Sequence, residues 1–472
     1  LSGTGGQFPA VPITTVSGGA VRDAGETFSE NATVGVYVQQ MVGWKNRLFV
    51  TGAVRADDNS AFGVNFDAAI YPKISATWVI SEEDFWGFDF LQQLRLRGAW
   101  GAAGKQPDAF AASRLYSPDI GYLNRPALLP GAFGNPDLKP ERGEELEVGF
   151  DASILDGRVE VEVTHYNKRI TDAILNRQLP PSTGFTGSQI VNVGRVDAWG
   201  WEVGGVVRVL EGRRLSWDLD SQWTLMRNEI KDMGGLSTRF NREGYPIQSH
   251  FGRQVLDGEI DQNRRVIRAE CESGTGADGL RRGGAPIPCA GAPLLFQGPS
   301  QPTWQLGVGN TFTLWGNVRL YARADGNGGH LNTHNYGAAV GHRDSFHLNP
   351  DPMRYLIEAF GATTNRAGDP LYDASFLRFS ELSATYDLPD VLAQRVRARR
   401  GTASLGMQNV MMLWTGQHGW STPRDGSIRH SYRPIIVWDP DINETSANPG
   451  AGGPQTAMPP GASAILTLRF SF

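Results

Sequence analysis

The sequence predicts an all-β fold, a transmembrane antiparallel β-barrel present in part, and three observations predict it. About 13 segments alternate apolar and polar residues with a period of two. Their connections alternate between short and long, the asymmetry of a barrel with short periplasmic turns and long extracellular loops. No apolar run in the 472 residues approaches the roughly 18 that mark a membrane-spanning helix. A hydrophobic content of 40% and a mean hydropathy of -0.31 suit a barrel whose strands turn half their residues to a polar lumen. They suit a soluble β protein equally well.

Residues 1–30 are rich in Gly, Ser and Thr and show no periodicity, so they are expected as loop with room for one strand remnant. Strands are expected at 31–43, 46–57, 69–81 and 91–102. The hairpin at 143–170 is the clearest unit. Leu146, Val148, Phe150, Ala152 and Ile154 alternate with Glu145, Glu147, Gly149, Asp151 and Ser153. Asp156-Gly157 supplies the positive backbone angles of a tight turn, and Val159, Val161 and Val163 then alternate with Glu160, Glu162 and Thr164. Each arm runs to roughly 12 residues, twice an ordinary strand and enough to cross a bilayer at a tilt. Further strands are expected at 195–210, 213–228, 302–314, 317–328, 373–388, 401–412 and 462–472. Within 213–228, Leu215, Trp217, Leu219, Trp223 and Leu225 interleave with Ser216, Asp218, Asp220, Gln222 and Thr224. One helical turn is expected after Pro389, from Val391, Leu392 and Val396.

The short links are Trp44-Lys45, 82–90, Asp156-Gly157, Glu211-Gly212, Trp315-Gly316 and 389–400. The long ones are 58–68, 103–142, 171–194, 229–301, 329–372 and 413–461. Trp44, Phe85, Trp86 and Trp315 sit on the short-link side, where amphipathic rings would form an interfacial girdle.

Composition excludes several functions. A net charge of -5 with a pI near 6.0 leaves no basic field for nucleic acid. The cluster Arg395, Arg397, Arg399 and Arg400 reads as a solvated turn. Gly101-Ala-Ala-Gly104-Lys105-Gln106 fails as a phosphate loop, because the first Gly is misplaced and Gln106 stands where a hydroxyl is needed. His330, His334, His342 and His347 crowd one loop with no Cys at ligand spacing, so they read as incidental and no metal or other cofactor is expected. No carboxylate pair is placed as acid and base, so no enzyme is expected. Cys271 and Cys289 lie in one Gly/Pro-rich segment and read as a loop disulfide in an oxidising compartment, a reduced pair being the alternative.

Several blocks in order resemble the TonB-dependent outer-membrane transporters, in their SusC/RagA-like branch. They are Arg55-Ala-Asp-Asp-Asn-Ser-Ala-Phe-Gly63, Tyr71-Pro-Lys-Ile-Ser-Ala-Thr-Trp78, Ser81-Glu-Glu-Asp-Phe-Trp86 and Asn135-Pro-Asp-Leu-Lys-Pro-Glu141. Glu243-Gly-Tyr-Pro-Ile247, Gly406-Met-Gln-Asn-Val410 and the terminal Leu466-Thr-Leu-Arg-Phe-Ser-Phe472 continue the series. The resemblance implies about 13 of roughly 22 strands that close around a plug. Residues 31–472 would be the C-terminal portion of the barrel, with signal peptide, TonB box, plug domain and the N-terminal strands outside this chain.

The resemblance further implies TonB-dependent import of a nutrient solute, oligosaccharide or peptide, across a Gram-negative-type cell outer membrane. Implied partners are outer-membrane lipid, a SusD-like lipoprotein, the TonB-ExbB-ExbD complex through the missing N-terminal region, and the barrel assembly machinery. Two other readings stay open: a siderophore or cobalamin receptor, and a secreted soluble all-β glycan-binding protein. Alternation turns Glu145, Glu147, Glu160 and Glu162, with Glu144 beside them, to the lumen as an acidic stretch. It would line a polar solute path, pair with Arg on a plug, or be plain solvated surface. Extracellular Tyr116, Tyr122, Trp420, Tyr432 and Trp438 are candidate substrate contacts through ring stacking, loop packing being the alternative. Phe470 and Phe472 would form the C-terminal assembly signal.

Overall fold

The structure is a computed structural model that describes residues 2–6, 21–25, 30–66, 68–183, 187–238, 240–261, 266–333, 371–416 and 461–472. Its body is one antiparallel sheet of 13 strands. In chain order these are β1 Thr33–Trp44, β2 Leu48–Asn59, β3 Ala69–Val79, β4 Leu91–Lys105, β5 Glu141–Ile154, β6 Val159–Thr171 and β7 Arg195–Glu211. There follow β8 Leu215–Asp232, β9 Trp304–Leu314, β10 Val318–Gly328, β11 Phe376–Leu388, β12 Arg400–Thr415 and β13 Ser463–Ser471. Each pairs with its chain neighbours, and among the described residues β1 and β13 remain the two edges of an open sheet. Every expected strand is present at its place. The expected helical turn is α1, Asp390–Arg395, its first turn opened by Pro389.

The register shows what the alternation builds. One row of directly paired residues runs Trp44, Leu48, Trp78, Leu96, Phe150, Val163, Val203, Trp223 and Leu306. The next row, on the other face, runs Thr77, Arg97, Gly149, Thr164, Glu202, Thr224 and Gln305. A slip of one residue in any strand would exchange the faces, so the pattern pins the register. Leu146 is 47% exposed, Trp223 52% and Val36 68%. A continuous apolar face this bare in the protein needs a non-aqueous cover.

The apolar face also ends sharply. On β8 it runs Leu215, Trp217, Leu219, Ser221, Trp223 and Leu225, and then meets Arg227 and Glu229 on the same side. On β5 it stops at Leu146, below Glu144 and Arg142. The ion pairs Arg142–Glu144 (2.9 Å), Arg195–Asp197 (2.6 Å) and Lys231–Glu229 (2.7 Å) stand in this polar collar, toward the long loops. At the opposite end Trp44, Phe85 and Trp315 are exposed, as the girdle reading expects. Trp86 is half-buried, its Nε1 donating to Leu91 O at 3.1 Å.

The tight turns follow their residues. Asp156 (φ 56°) and Gly157 (φ 76°) are the centre of a turn closed by Arg158 N donating to Leu155 O at 3.2 Å. Trp315 (φ 50°) and Gly316 (φ 77°) do the same between β9 and β10. The first link falls one residue later than expected, at Lys45-Asn46, because both central positions need positive φ and Asn tolerates it where Trp44 ends a strand. The link after β7 is likewise shifted, to 212–214.

One expectation needs correction. Within 1–30, Ser2–Gly6 pairs with Val21–Gly25, so the segment holds a small two-stranded sheet rather than one strand remnant. The long links hold short strands of their own. They carry Leu115–Ile120 on Pro126–Ala132, Ile174–Gln178 on Ser188–Asn192, Ser249–Gly252 on Leu295–Pro299, and Leu331–Thr333 on Leu371–Asp373. A three-stranded unit forms from Val255–Ile260, Val266–Glu272 and Pro286–Pro288. Strands this short leave too few alternations for a period to be read.

Candidate functional site

Two surfaces could meet a solute: the polar face of the sheet and the loops beyond the collar. On the polar face the charges are paired across strands. Arg95 on β4 reaches Asp151 on β5 at 2.6 Å, and Arg97 bridges Asp151 (3.4 Å) and Glu162 on β6. Arg97 Nη2 also donates to Thr164 Oγ1 at 2.6 Å. Lys168 pairs with Glu145 (3.2 Å), Arg208 with Glu160 (3.5 Å), and Arg378 with Asp325 (3.1 Å).

This arrangement revises the acidic stretch. Glu145, Glu147, Glu160 and Glu162 do share the polar face, but Glu145 and Glu160 already have cationic partners on the adjacent strand, and Glu162 is reached by Arg97 from two strands away. Glu144 is on the opposite side, in the collar, because a strand's side chains alternate and adjacent residues cannot share a face. Alternation puts Arg95 and Arg97 on the polar side of 91–102 as it does the acids of 143–170, but their pairing spans 56 residues to Asp151 and 65 to Glu162, and a single sequence does not reveal that register. Small residues make room among these groups. A hollow of about 580 Å³ lies on Ala99, Gly101 and Gly143, flanked by Lys73, Lys105 and Glu145.

The loop surface is partly built from hairpins. Tyr116 and Tyr122 belong to one of them, 52% and 87% exposed. Trp420, Tyr432 and Trp438 lie outside the described residues, as do His334, His342 and His347. His330 is buried at the start of its loop, where its carbonyl accepts from Ala374 N at 3.1 Å. Among the described residues no group of three or more His, Cys, Asp or Glu is placed to hold a metal ion.

The largest described loop, between β8 and β9, folds on its own core. Cys271 and Cys289 are bonded and fully buried, packed with Val255, Ala292, Val266 and Ile287. Beside them Tyr245, Phe251 and Phe296 form an aromatic cluster with the Arg242 guanidinium 4.2 Å above the Phe251 ring. Tyr245 Oη donates to Asp278 Oδ2 at 2.6 Å, and burial together with this carboxylate pushes the phenol up to about 12. His250 joins this loop to the next one. Its Nε2 donates to Leu331 O at 3.0 Å, its Nδ1 is buried without a partner, and burial pushes the imidazole down to about 4.

At the C-terminus, Phe470 covers Gly401 on β12, while Leu466, Leu468 and Phe472 stand exposed. A side chain at Gly401 would press on the Phe470 ring.

Comparison with known proteins identifies the family. The chain is 28% identical to the TonB-dependent receptor P39 of Formosa agariphila over 259 residues, 54% of this chain and 25% of that protein. It is 28% identical to the TonB-dependent receptor SusC of Bacteroides thetaiotaomicron over 200 residues, 40% of this chain and 20% of that protein. Among solved structures, the RagAB peptide importer in the open-open state superposes with a TM-score of 0.72 at 18% identity, over 98% of this chain and 50% of that one. The chain thus spans a quarter or less of these curated relatives and half of the structural neighbour. The profile described as TonB dependent receptor-like, beta-barrel, matches residues 3–410. With a meander of 13 strands, one apolar and one polar face, and that match, the chain belongs to the TonB-dependent receptor β-barrel family, and its likenesses are of the SusC/RagA type.

Proposed function

We propose that the chain is part of the wall and mouth of an outer-membrane importer that takes up an oligosaccharide or a peptide, together with a SusD-like lipoprotein and driven through TonB. The observation that carries this reading is the two-faced sheet. Its apolar belt ends in a charged collar before the long loops, as a wall does where it leaves lipid, and its other face carries charges paired across strands. Solute would be taken at the loops, where Tyr116 and Tyr122 are bare, and pass along the paired charges of the polar face. The likeness to SusC and to the RagAB peptide importer favours oligomers over chelates.

Deletion of the full-length gene tests this. The expected result is lost growth on one class of oligosaccharide or peptide, reproduced by deleting TonB. A defect seen only under iron or cobalamin limitation would replace the reading with a chelate receptor. Recovery of the protein in the culture medium without detergent would return it to a soluble glycan binder.

Phe472 gives a second test. The edge strand β13 must be captured before its free side aggregates, and Phe472 ends the row Leu466, Leu468, Phe470 at its most exposed point, 75% bare. Deleting Phe472 from the full-length gene removes nothing that packs the sheet. Surface-exposed protein is nonetheless expected to fall about tenfold or more, with the remainder protease-sensitive; unchanged surface levels would end the assembly role.

A further inference from the structure

The block Asn135-Pro-Asp-Leu-Lys-Pro-Glu141 is not part of the wall until its last residue, and no surface described so far uses it. It crosses between β4 and β5 beyond the collar, and two other loops converge on it. From the loop after β2, Gly63 N donates to Leu138 O at 2.7 Å and Asn65 N to Pro136 O at 3.0 Å, while Asn65 Nδ2 reaches Asp137 Oδ1 at 2.7 Å. From the loop after β6, Asn192 Oδ1 accepts from Lys139 N (2.9 Å) and its Nδ2 donates to Lys139 O (2.6 Å) and Asp172 O (3.0 Å). Asn135 Nδ2 donates to Ile190 O at 3.0 Å, and Gln189 Nε2 to Gly134 O at 2.8 Å.

Each residue type fits this task. Pro136 takes the second place of a turn closed by Leu138 N donating to Asn135 O at 3.2 Å, where its fixed φ fits, and neither Pro136 nor Pro140 brings an N–H to satisfy. Asn135 accepts from Asp137 N at 3.1 Å, the local turn that offers the following carbonyls outward. Leu138 is fully buried. Gly63 is obligatory for a steric reason, since a methyl there would overlap Pro136 O and Leu138 N.

We propose that residues 135–141 are a clasp that locks the loops after β2, β4 and β6 together at the mouth, through Gly63 and Asn65 on one side and Gln189, Ile190 and Asn192 on the other. Asn192 is its main positioning residue. Whatever docks on one of these loops then meets a surface braced by all three. The clasp stands whether or not the import reading holds, because it rests on bonds between loops and not on a solute.

Hydrogen exchange on the full-length protein in detergent tests it, with Asn192→Ala and Gln189→Ala as variants. The hydrogen bonds of Asn192 go to Lys139 and Asp172, and those of Gly63 and Asn65 to Pro136, Asp137 and Leu138. If the clasp couples the loops, the Gly63 and Asn65 amides exchange about tenfold faster or more in Asn192→Ala, and several-fold faster in Gln189→Ala. Thr275 and Arg281, bonded to each other inside the disulfide-bonded loop, are expected to keep their rates. Faster exchange confined to 171–194 and Lys139 would overturn the proposal, as would a general loosening that includes Thr275 and Arg281. Should Asn192→Ala fail to reach the membrane, Gln189→Ala decides by the same pattern, because it leaves Asn192 in place and removes only the bond to Gly134 O and one within its own hairpin, from Arg177 Nη2.

Discussion

Leu219→Arg is expected to cost roughly 2 to 4 kcal/mol of stability in a bilayer or detergent unfolding assay, whereas Asp220→Arg costs less than about 1 kcal/mol. The two positions are adjacent in sequence and opposite in environment. Leu219 pairs with Val207 and Asn310 in the middle of the apolar run that begins at Leu215 and ends at Leu225. An arginine there is held near the bilayer midplane, too deep for its head to reach water at either rim without distorting the lipid. Asp220 lies on the polar face over Gly309, in a hollow shared with Glu162, Glu202 and Arg323. An arginine there finds Glu202 close by, with Glu162 already paired to Arg97 and Arg323 in opposition, and remains in reach of water on this face. Equal costs for the two changes would mean that the faces are assigned the wrong way round.

The loop between β8 and β9 is expected to lose about 3 kcal/mol of local stability as pH falls from 6.5 to 4, read by protease resistance or exchange of its amides. The sign follows from His250. Its folded value is about 4, below the 6.5 of an exposed imidazole. The unfolded loop therefore binds a proton first, and stability present above pH 6.5 drains away as pH drops through that window. Desolvation is the main cause: His250 is 7% exposed, with Nε2 committed to Leu331 O and Nδ1 unpartnered. His330, also buried and lowered by burial, adds in the same direction, and Asp373 beside it opposes this in part. His250→Gln keeps an amide donor and removes the titration, so the slope between pH 6.5 and 4 should flatten to what His330 leaves. A slope unchanged by that substitution would show that the acid sensitivity lies elsewhere.

The elements were readable where the physics is local. Leu146, Val148 and Phe150 against Glu145, Glu147 and Asp151 is a two-residue period, and a period of two can only be a strand with two unlike faces. Asp156-Gly157 and Trp315-Gly316 sit where positive φ is needed, as turn chemistry requires. The hairpin of Tyr116 and the three-stranded unit around Cys271 were not readable, being short strands held by partners and a disulfide rather than by their own pattern. Glu144 was misplaced because composition, which counts neighbours, was allowed to override alternation, which separates them.

The sequence by itself determined the class of fold, the number and order of wall strands, and the sidedness of the strands whose alternation is clear, such as 143–154 and 215–225. These depend on single residues and their immediate neighbours. Only the tertiary structure decided what the polar groups do. It joined Arg97 to Asp151 and Glu162, Lys168 to Glu145, and Asn192 to Lys139. Each of those bonds links strands or loops that register and chain crossing bring together. A hydrogen bond or ion pair is made over about 3 Å, and no pattern within one segment records which distant segment will arrive at that distance.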